Sequence, residues 1–223
     1  MCCRQGNGQY ELYMDGELIL YGADFNSGRK MEHDIVAGYH EQYTQMTVRE
    51  RQYLDAHNWR RKKYHEAFGA PYTPLKYDFS LQQDAAHWAE QLLDDCAVTG
   101  IDHEPGVEQG ENLAKNTGNG KWGQLFPVEN LVRRWFEREE TWPYPANAHL
   151  TQGLWRSALY VGCAESEKEM GNKAMCRIQV CRYARAGNCD MNRYDAREGD
   201  NWKVPMLQLK NPCGPACPPN GCH

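Results

Sequence analysis

The sequence lacks several features that define common classes of protein. No apolar run approaches the roughly 18 residues that a membrane helix needs, so no transmembrane segment is predicted. Basic residues are not in excess, and the formal net charge of −5 at pH 7 argues against a nucleic-acid partner, which would require a basic face. No Asn-X-Ser/Thr sequon is present, so N-glycosylation is not expected.

The short motifs of common hydrolases are also missing. His-Glu pairs begin at His40, His65 and His103, but in none of them does a second histidine follow four positions later, as a zinc protease of the His-Glu-X-X-His type requires. No Gly-X-Ser-X-Gly nucleophile elbow occurs. We therefore expect a protein that is not an enzyme. The alternative is a metal-dependent protease, or a serine-type protease that uses the hydroxyl of Ser157 or Thr151.

Cysteine, in contrast, is abundant. The chain has 10 cysteines, an even number, which favours an oxidising compartment. A zinc protein of the cytosol fits poorly, because no paired Cys-X-X-Cys knuckle is present. No hydrophobic signal region follows Met1-Cys2-Cys3-Arg4. The expectation is a mature secreted, extracellular protein whose signal peptide is not part of this sequence.

Composition divides the chain into three parts. Residues 1–45 form an extension in which two strand-like runs flank Asp15-Gly16, a strong signal for a β-hairpin. Residues 46–190 carry the apolar periodicity of the main domain. Residues 191–223 are rich in Pro, Gly and Cys and have too few apolar side chains to pack alone, so disulfides must hold this tail.

Three helices are predicted from capping signals and apolar periodicity. Thr47 and Glu50 form a capping box, and a helix runs from there to about residue 68. A second helix covers about residues 80–95 and a third about residues 128–140. Apolar side chains recur at helical spacing and predict the buried faces of the second and third helices: Leu81, Ala85, Trp88, Ala89 and Leu92, then Leu131, Val132, Trp135 and Phe136.

Further along, the apolar pattern becomes that of strands. Gly153–Arg156, Tyr160–Ala164 and Ala174–Tyr183 are each predicted to be a strand, and polar residues 165–173 to be the turn between the last two. His149 would then end a loop just before the first of these strands. Helices followed by strands predict an α+β domain with an antiparallel sheet.

Five short motifs follow one another along the main domain. They are Asp55-Ala56-His57-Asn58 with Arg61, Asp95-Cys96 with His103, Gly110-Glu111-Asn112-Leu113-Ala114, His149 to Trp155, and Cys181 to Asn188. Together they resemble the signatures of the CAP superfamily, which includes cysteine-rich secretory proteins, insect antigen 5 venom allergens and plant pathogenesis-related proteins of class one. The resemblance covers about residues 50–190. Ala148, Leu150 and Gly153 depart from it, since the family usually has Gly, an aromatic and a branched residue there.

The resemblance implies a three-layer α-β-α sandwich with a central antiparallel sheet and two disulfides, Cys96–Cys176 and Cys163–Cys181. The tail resembles the hinge that follows this domain in cysteine-rich secretory proteins. The remaining cysteines would pair in an order that the sequence leaves open: Cys2, Cys3, Cys189, Cys213, Cys217 and Cys222.

The resemblance also implies a site of two histidines and two glutamates, which are His103, Glu111, Glu139 and His149. The family spacing of an aromatic residue three before the glutamate selects Glu139, since Phe136 precedes it. Glu137 and Glu140 remain alternatives. At most one of Glu137 and Glu139 can face the site, because residues two apart on a helix point about 200° apart.

These four side chains permit two kinds of site. His103 and His149 would bind zinc or another divalent cation, with Glu111 and Glu139 orienting the two rings and the other coordination positions open. Alternatively, two His–Glu hydrogen bonds pin the loops together without a metal. A protease would use the same four residues as its cleft. His57, on the first helix, is predicted to be a hydrogen-bonded packing residue and not a ligand.

Relatives bind sterols near the segment before the last of these histidines, and some hold fatty acids between helices. Here that segment carries Trp142 and Tyr144 beside two prolines, which suits contact with a lipid, although the rings can equally pack on the third helix. We therefore predict a secreted, non-enzymatic protein that binds a sterol, a fatty acid or an extracellular protein. The basic run 60–63 predicts a solvated helix face.

Overall fold

The computed structural model describes residues 2–6, 9–14, 17–21, 43–119, 127–210 and 213–223. The first three of these ranges are backbone strands, β1 (Cys2–Gly6), β2 (Gln9–Met14) and β3 (Glu17–Tyr21), paired antiparallel in the order β1-β2-β3. β2 and β3 pair on either side of positions 15 and 16, where the sequence predicts a hairpin. Those two positions, and residues 22–42, lie outside the described part.

The main domain contains both helices and strands. Its elements are α1 (Val48–Ala67), β4 (Lys76–Tyr77), α2 (Phe79–Gln91), a 3-10 helix (Leu92–Ala97), β5 (Gly110–Asn119), α3 (Val128–Trp135), α4 (Ala148–Gly153), β6 (Tyr160–Met170), β7 (Ala174–Ala184), a 3-10 turn (Met191–Tyr194) and α5 (Lys203–Met206). Within the described residues, no helix combines the length and apolarity needed to cross a bilayer.

Strands β4 to β7 form one sheet of order β4-β6-β7-β5, antiparallel throughout except for the short parallel pair β4–β6. Successive side chains of a strand point to opposite faces, and β7 shows the result. Ile178 and Val180 pack with Ala85 and Ala89 of α2, whereas Tyr183 belongs to a second apolar cluster built with α1, α3 and α4. Helices therefore cover both faces, which confirms the predicted three-layer α-β-α sandwich.

The helix predictions hold where capping and periodicity agree. The Thr47 hydroxyl accepts from the Glu50 backbone N–H at 3.2 Å, and the Glu50 carboxylate accepts from the Thr47 backbone N–H at 2.6 Å, so the capping box is present. The third helix is shorter than predicted and ends at Trp135. The residues after it form turns, which lets Glu137 and Glu139 reach different partners.

One strand prediction and one turn prediction are wrong. Gly153–Arg156 is not a strand, because Gly153 ends α4 and the apolar residues after it form a buried turn. A short apolar run does not distinguish a strand from a buried helix end. β6 also continues through the predicted turn as far as Met170. β4 pairs with only Tyr160 and Val161, so the rest of β6 is an open edge where polar side chains are expected.

Four disulfides lie within the described residues. Cys96–Cys176 and Cys163–Cys181 are the pairs that the resemblance implies. Two more secure the tail: Cys189–Cys213 attaches it to the domain, and Cys217–Cys222 closes a short loop within it. The side chains of Cys2 and Cys3 are outside the described part of the chain.

We expect substitution of Gly162 to separate α2 from the sheet. A Cβ at this position would lie 2.2 Å from the Gln82 backbone N and 2.5 Å from the Asp78 carbonyl O, and backbone cannot move aside cheaply. Gly162→Ala should lower the free energy of unfolding by about 1–3 kcal/mol or more in urea titrations. Gly171→Ala, which meets nothing within 4 Å, is the control and should stay within about 0.5 kcal/mol of the wild type. Equal stability of the two variants would contradict this packing.

Candidate functional site

The helix that carries His149 is held at its N-terminus by Glu139. One carboxylate oxygen of Glu139 accepts from the backbone N–H groups of His149 and Leu150, at 3.1 and 3.2 Å. The other oxygen accepts from the Nδ1–H of His149 at 2.6 Å. The carboxylate is buried, and a negative charge is favourable at the start of a helix. Glu139 therefore fixes the position of α4 and the orientation of the His149 ring together.

The other two candidate glutamates have different partners. Glu137 pairs with Arg60, whose Nε lies 2.9 Å from its carboxylate, and Glu140 accepts from the hydroxyl of Tyr64 at 2.8 Å. The structure thus pairs Glu139, and not Glu137 or Glu140, with His149.

The other end of α4 is held by two residues of α1. The guanidinium of Arg61 donates to the carbonyl oxygens of Gly153 and Trp155 at 2.9 and 3.0 Å and to that of Ala158 at 3.1 Å. His65 donates from Nε2 to the Leu154 carbonyl oxygen at 2.9 Å. These carbonyls belong to the end of the helix and the turn after it, where partners within the helix are missing.

The prediction that residues 60–63 form a solvated helix face is wrong for the first two of them. Arg60 and Arg61 are both buried. Arg60 pairs with Glu129 and Glu137, whereas Arg61 uses backbone carbonyls of the site. Charged residues are seldom fully buried, so a run of four basic residues gives no signal for this role.

The second His–Glu pair lies at the start of β5. His103 donates from Nδ1 to Glu111 at 2.5 Å, and this hydrogen bond raises the pKa of the His103 imidazole. Behind Glu111, the buried Arg182 places its Nη2 atom 2.8 Å from the other carboxylate oxygen and also pairs with Glu104. Arg182 is opposite Glu111 in the β5–β7 register, so the two side chains share a face of the sheet.

Asn112 links the two pairs. Its side-chain amide donates to the His149 carbonyl oxygen at 3.0 Å and to the hydroxyl of Tyr183 at 3.1 Å. Because Asn112 follows Glu111 along β5, the two side chains point to opposite faces of the strand. The four predicted site residues therefore form two separate His–Glu pairs, joined through the backbone of His149.

The Tyr183 hydroxyl continues this network into the core. It donates to His57 Nε2 at 2.8 Å, and His57 donates from Nδ1 to the Tyr53 carbonyl oxygen at 2.7 Å. Burial lowers the pKa of His57 to about 4, so the ring is neutral at pH 7. Both ring nitrogens have partners in the protein, which leaves none for a cation. The structure thus places His57 as a hydrogen-bonded packing residue.

Both site histidines are oriented in the same way, each by one carboxylate. Each of the two rings, His103 and His149, directs Nδ1 to a buried carboxylate, and in the described residues Nε2 has no hydrogen-bond partner. The His103 side chain is 69% exposed and that of His149 38%. No group of three or more His, Cys, Asp or Glu in the described ranges is arranged to hold a metal ion.

The predicted lipid contacts differ in exposure. Trp142 is 37% exposed, and the guanidinium of Arg138 lies 5.5 Å from the centre of its ring. Tyr144 is half-buried and packs against the core. Of the two rings, Trp142 is thus the one that offers an apolar surface to solvent.

The hydroxyls considered for a protease are engaged elsewhere or enclosed. Thr151 is buried and donates from Oγ1 to Asn188 Oδ1 at 2.5 Å. Ser157 is buried too, and its Oγ has no hydrogen-bond partner among the described residues. Neither hydroxyl is bonded to a histidine that could activate it as a nucleophile.

Comparison with known proteins identifies the family. The family model described as "Cysteine-rich secretory protein family" (CAP) matches residues 54–183, more than half of the chain. The chain therefore belongs to the cysteine-rich secretory protein, or CAP, family.

Plant pathogenesis-related proteins are among its relatives. Pathogenesis-related protein 1A of Nicotiana tabacum is 28% identical over 144 residues, which cover 61% of this chain and 74% of that protein. Pathogenesis-related protein 1 of Arabidopsis thaliana is 30% identical over 142 residues, covering 61% and 76%. The solved structure of BmVAL-1 shares the fold, with a TM-score of 0.50 at 18% identity over 75% of this chain and 86% of that one.

Acid should destabilise the protein through two buried histidines, His57 and His65. Burial lowers the pKa of His57 to about 4 and that of His65 to about 3, from 6.5. Below pH 6.5 the unfolded chain binds protons that the folded chain does not, so the free energy of unfolding must decrease as the pH is lowered. For His57 the loss between pH 6.5 and 4 is about 3 kcal/mol, at roughly 1.4 kcal/mol per pKa unit.

Urea titrations at several pH values between 6.5 and 4.5 would measure this effect. His57→Gln should flatten the fall of unfolding free energy with pH, even if it lowers stability at pH 7. His87→Gln, on the exposed face of α2, should keep the wild-type slope. Identical slopes for wild type and His57→Gln would contradict the assignment.

Proposed function

We propose that this protein is a secreted, non-enzymatic CAP-domain binding protein whose binding surface is formed by the rings of His103 and His149. One observation carries the proposal: each ring is fixed through Nδ1 by a buried carboxylate, is partly exposed, and has no hydrogen-bond partner on Nε2 within the described residues. A ring oriented in this way binds a ligand without first losing rotational freedom. Four disulfides in the described residues support an oxidising, extracellular setting.

The ligand that best suits these two nitrogens is a divalent cation such as Zn²⁺. Imidazole is a preferred zinc ligand, and a carboxylate that accepts from its other nitrogen is the usual orienting partner. His103 and His149 would supply two ligands, and water or a group of the binding partner would complete the coordination. Bound in this way, the cation would supply a positive centre for a partner's carboxylate or phosphate. Affinity should be modest, since the protein provides few ligands.

A protease using the same residues is the less favoured function. A serine-type mechanism needs a hydroxyl within hydrogen-bond reach of the base. Thr151 and Ser157, the two hydroxyls near His149 in sequence, are both buried and bonded to neither site histidine. A zinc protease usually holds its ion with three protein ligands, and two imidazoles fall short of that number.

Titration calorimetry with ZnCl₂ at pH 7.5 tests the cation. We expect a single binding event that His149→Ala weakens at least tenfold and that His103→Ala weakens similarly. His87→Ala removes an exposed histidine of α2 outside both His–Glu pairs and should bind as the wild type does. Binding should also weaken as the pH is lowered, because a protonated imidazole cannot bind a cation. The raised pKa of His103 means that this loss begins above the pH at which free imidazoles protonate, near 6.5. No binding, or equal losses in all three variants, would exclude the cation site.

A sterol or a fatty acid is the second ligand that we propose. The exposed ring of Trp142 offers apolar area, and Arg138 beside it would neutralise a fatty-acid carboxylate. A second apolar location is a groove of about 520 Å³ between α1 and the start of α3, with Trp59 in its wall. An extracellular protein is the remaining class of partner that we propose.

Binding of cholesterol and of a long-chain fatty acid by Trp142→Ala and Trp59→Ala variants separates these locations. We expect Trp142→Ala to reduce affinity at least fivefold and Trp59→Ala, which removes a ring that is 58% exposed, to leave it unchanged. Loss in Trp59→Ala alone would place the lipid in the α1–α3 groove instead. Wild-type protein that binds neither lipid would remove this part of the proposal.

A further inference from the structure

The tail contacts both parts of the His–Glu site through Cys213 and Gly214. The disulfide Cys189–Cys213 attaches it beside Asn188. Asn188 is bonded to α4 twice: Nδ2 donates to the Ala148 carbonyl oxygen at 2.9 Å, and Oδ1 accepts from Thr151 at 2.5 Å. One end of this connection is therefore fixed to the helix that carries His149.

The other end reaches the loop that carries His103. Gly214 adopts a left-handed conformation with φ +65°, and a Cβ there would lie 2.4 Å from the Glu108 carbonyl oxygen. Backbone thus packs directly on backbone between the tail and the loop that joins the 3-10 helix to β5. Such a contact leaves no room for a side chain and transmits any displacement of the tail to the loop.

The far end of the tail is anchored separately. The carbonyl oxygen of His223 accepts from Lys76 Nζ at 2.6 Å and from the Tyr160 hydroxyl at 2.8 Å. Ser80 at the start of α2 donates to Asn220 Oδ1 at 3.1 Å. With both ends held on the domain, Gly214 has little freedom to move away from Glu108.

We propose that Cys213 and Gly214 form a positioning element that sets the distance between the rings of His103 and His149. A continuous path runs from the His103 loop through Gly214 and Cys189–Cys213 to Asn188 and α4. The two His–Glu pairs are also joined by Asn112, which contacts the backbone of His149 and not its ring, and by Gly110, where a Cβ would lie 2.4 Å from Gln152 Oε1 of α4. This inference rests on the proposed function, because the spacing matters only if one ligand contacts both rings.

The tail offers a matched pair of variants. Gly214→Ala and Gly221→Ala each place a methyl group at a left-handed position, but the Gly221 methyl would meet nothing within 4 Å. We expect Gly214→Ala to shift the NMR signals of the His103 and His149 rings in metal-free protein and to weaken zinc binding at least fivefold. Gly221→Ala should leave both at wild-type values. Backbone strain lowers the melting temperatures of both variants, and the contact with Glu108 lowers that of Gly214→Ala further.

A second pair of variants, in which disulfides are removed, tests the proposal even if Gly214→Ala fails to fold. Replacing Cys189 and Cys213 with serine should shift the same ring signals and speed amide exchange in residues 103–109 and 148–154. Replacing Cys217 and Cys222, whose disulfide lies within the tail, should leave both unchanged.

The positioning role of the tail and the cation proposal can fail independently of each other. Unshifted ring signals in both Gly214→Ala and the Cys189/Cys213 variant would overturn the positioning role, as would equal shifts in the control variants. The ring signals are read without metal, so they test the positioning role even if zinc does not bind, a result that would remove the cation proposal alone.

Discussion

The site depends on one interaction that contains no ion pair: the buried guanidinium of Arg61 donating to backbone carbonyls around the end of α4. A six-residue helix is too short to be stable alone, so its position must be imposed by tertiary contacts. Arg61 and His65 hold its C-terminal end, and Glu139 holds its N-terminus. Burial without a carboxylate lowers the pKa of Arg61 to about 10, which still leaves it charged at pH 7. The orientation of His149 is thus determined by residues far away in sequence.

The second constraint is the alternation of side chains along β5. It sends Glu111 toward Arg182 and His103 on one face of the strand, and Asn112 toward Tyr183 and the His149 backbone on the other. Two adjacent residues therefore serve two different His–Glu pairs. Shifting β5 by one residue would exchange their faces and dismantle both pairs, which ties the site to the sheet register.

Much of the fold could be predicted from local chemistry. The Thr47–Glu50 capping box, the apolar spacing of α2 and the alternation of β7 each report a structure that neighbouring residues determine. The prediction of a strand at Gly153–Arg156 is wrong because the apolar character of these residues reflects burial and not strand pairing. The same limit applies to the site: the histidines and glutamates are visible in the motifs, but the residues that orient them are not. Arg182 stands between Cys181 and Tyr183 in a buried strand, and no local pattern marks it as the partner of Glu111.

The choice among Glu137, Glu139 and Glu140 illustrates why the partners of the site residues could not be predicted from local sequence. Family spacing favours Glu139, but the helical geometry used to weigh the alternatives does not apply, because α3 ends at Trp135. Each of the three carboxylates then finds its own donor in Arg60, His149 or Tyr64. Such assignments depend on contacts between elements far apart in the chain.

The pairing of each Nδ1 with a carboxylate also decides the tautomer of the two site imidazoles. A neutral ring that keeps its proton on Nδ1 carries a lone pair on Nε2, which can serve as an electron-pair donor to an incoming molecule. Such a nitrogen attracts cations and hydrogen-bond donors in general, and it repels the lone pairs of a bare carbonyl oxygen. On protonation each Nε2 becomes an N–H donor, and the preference of the same surface is reversed.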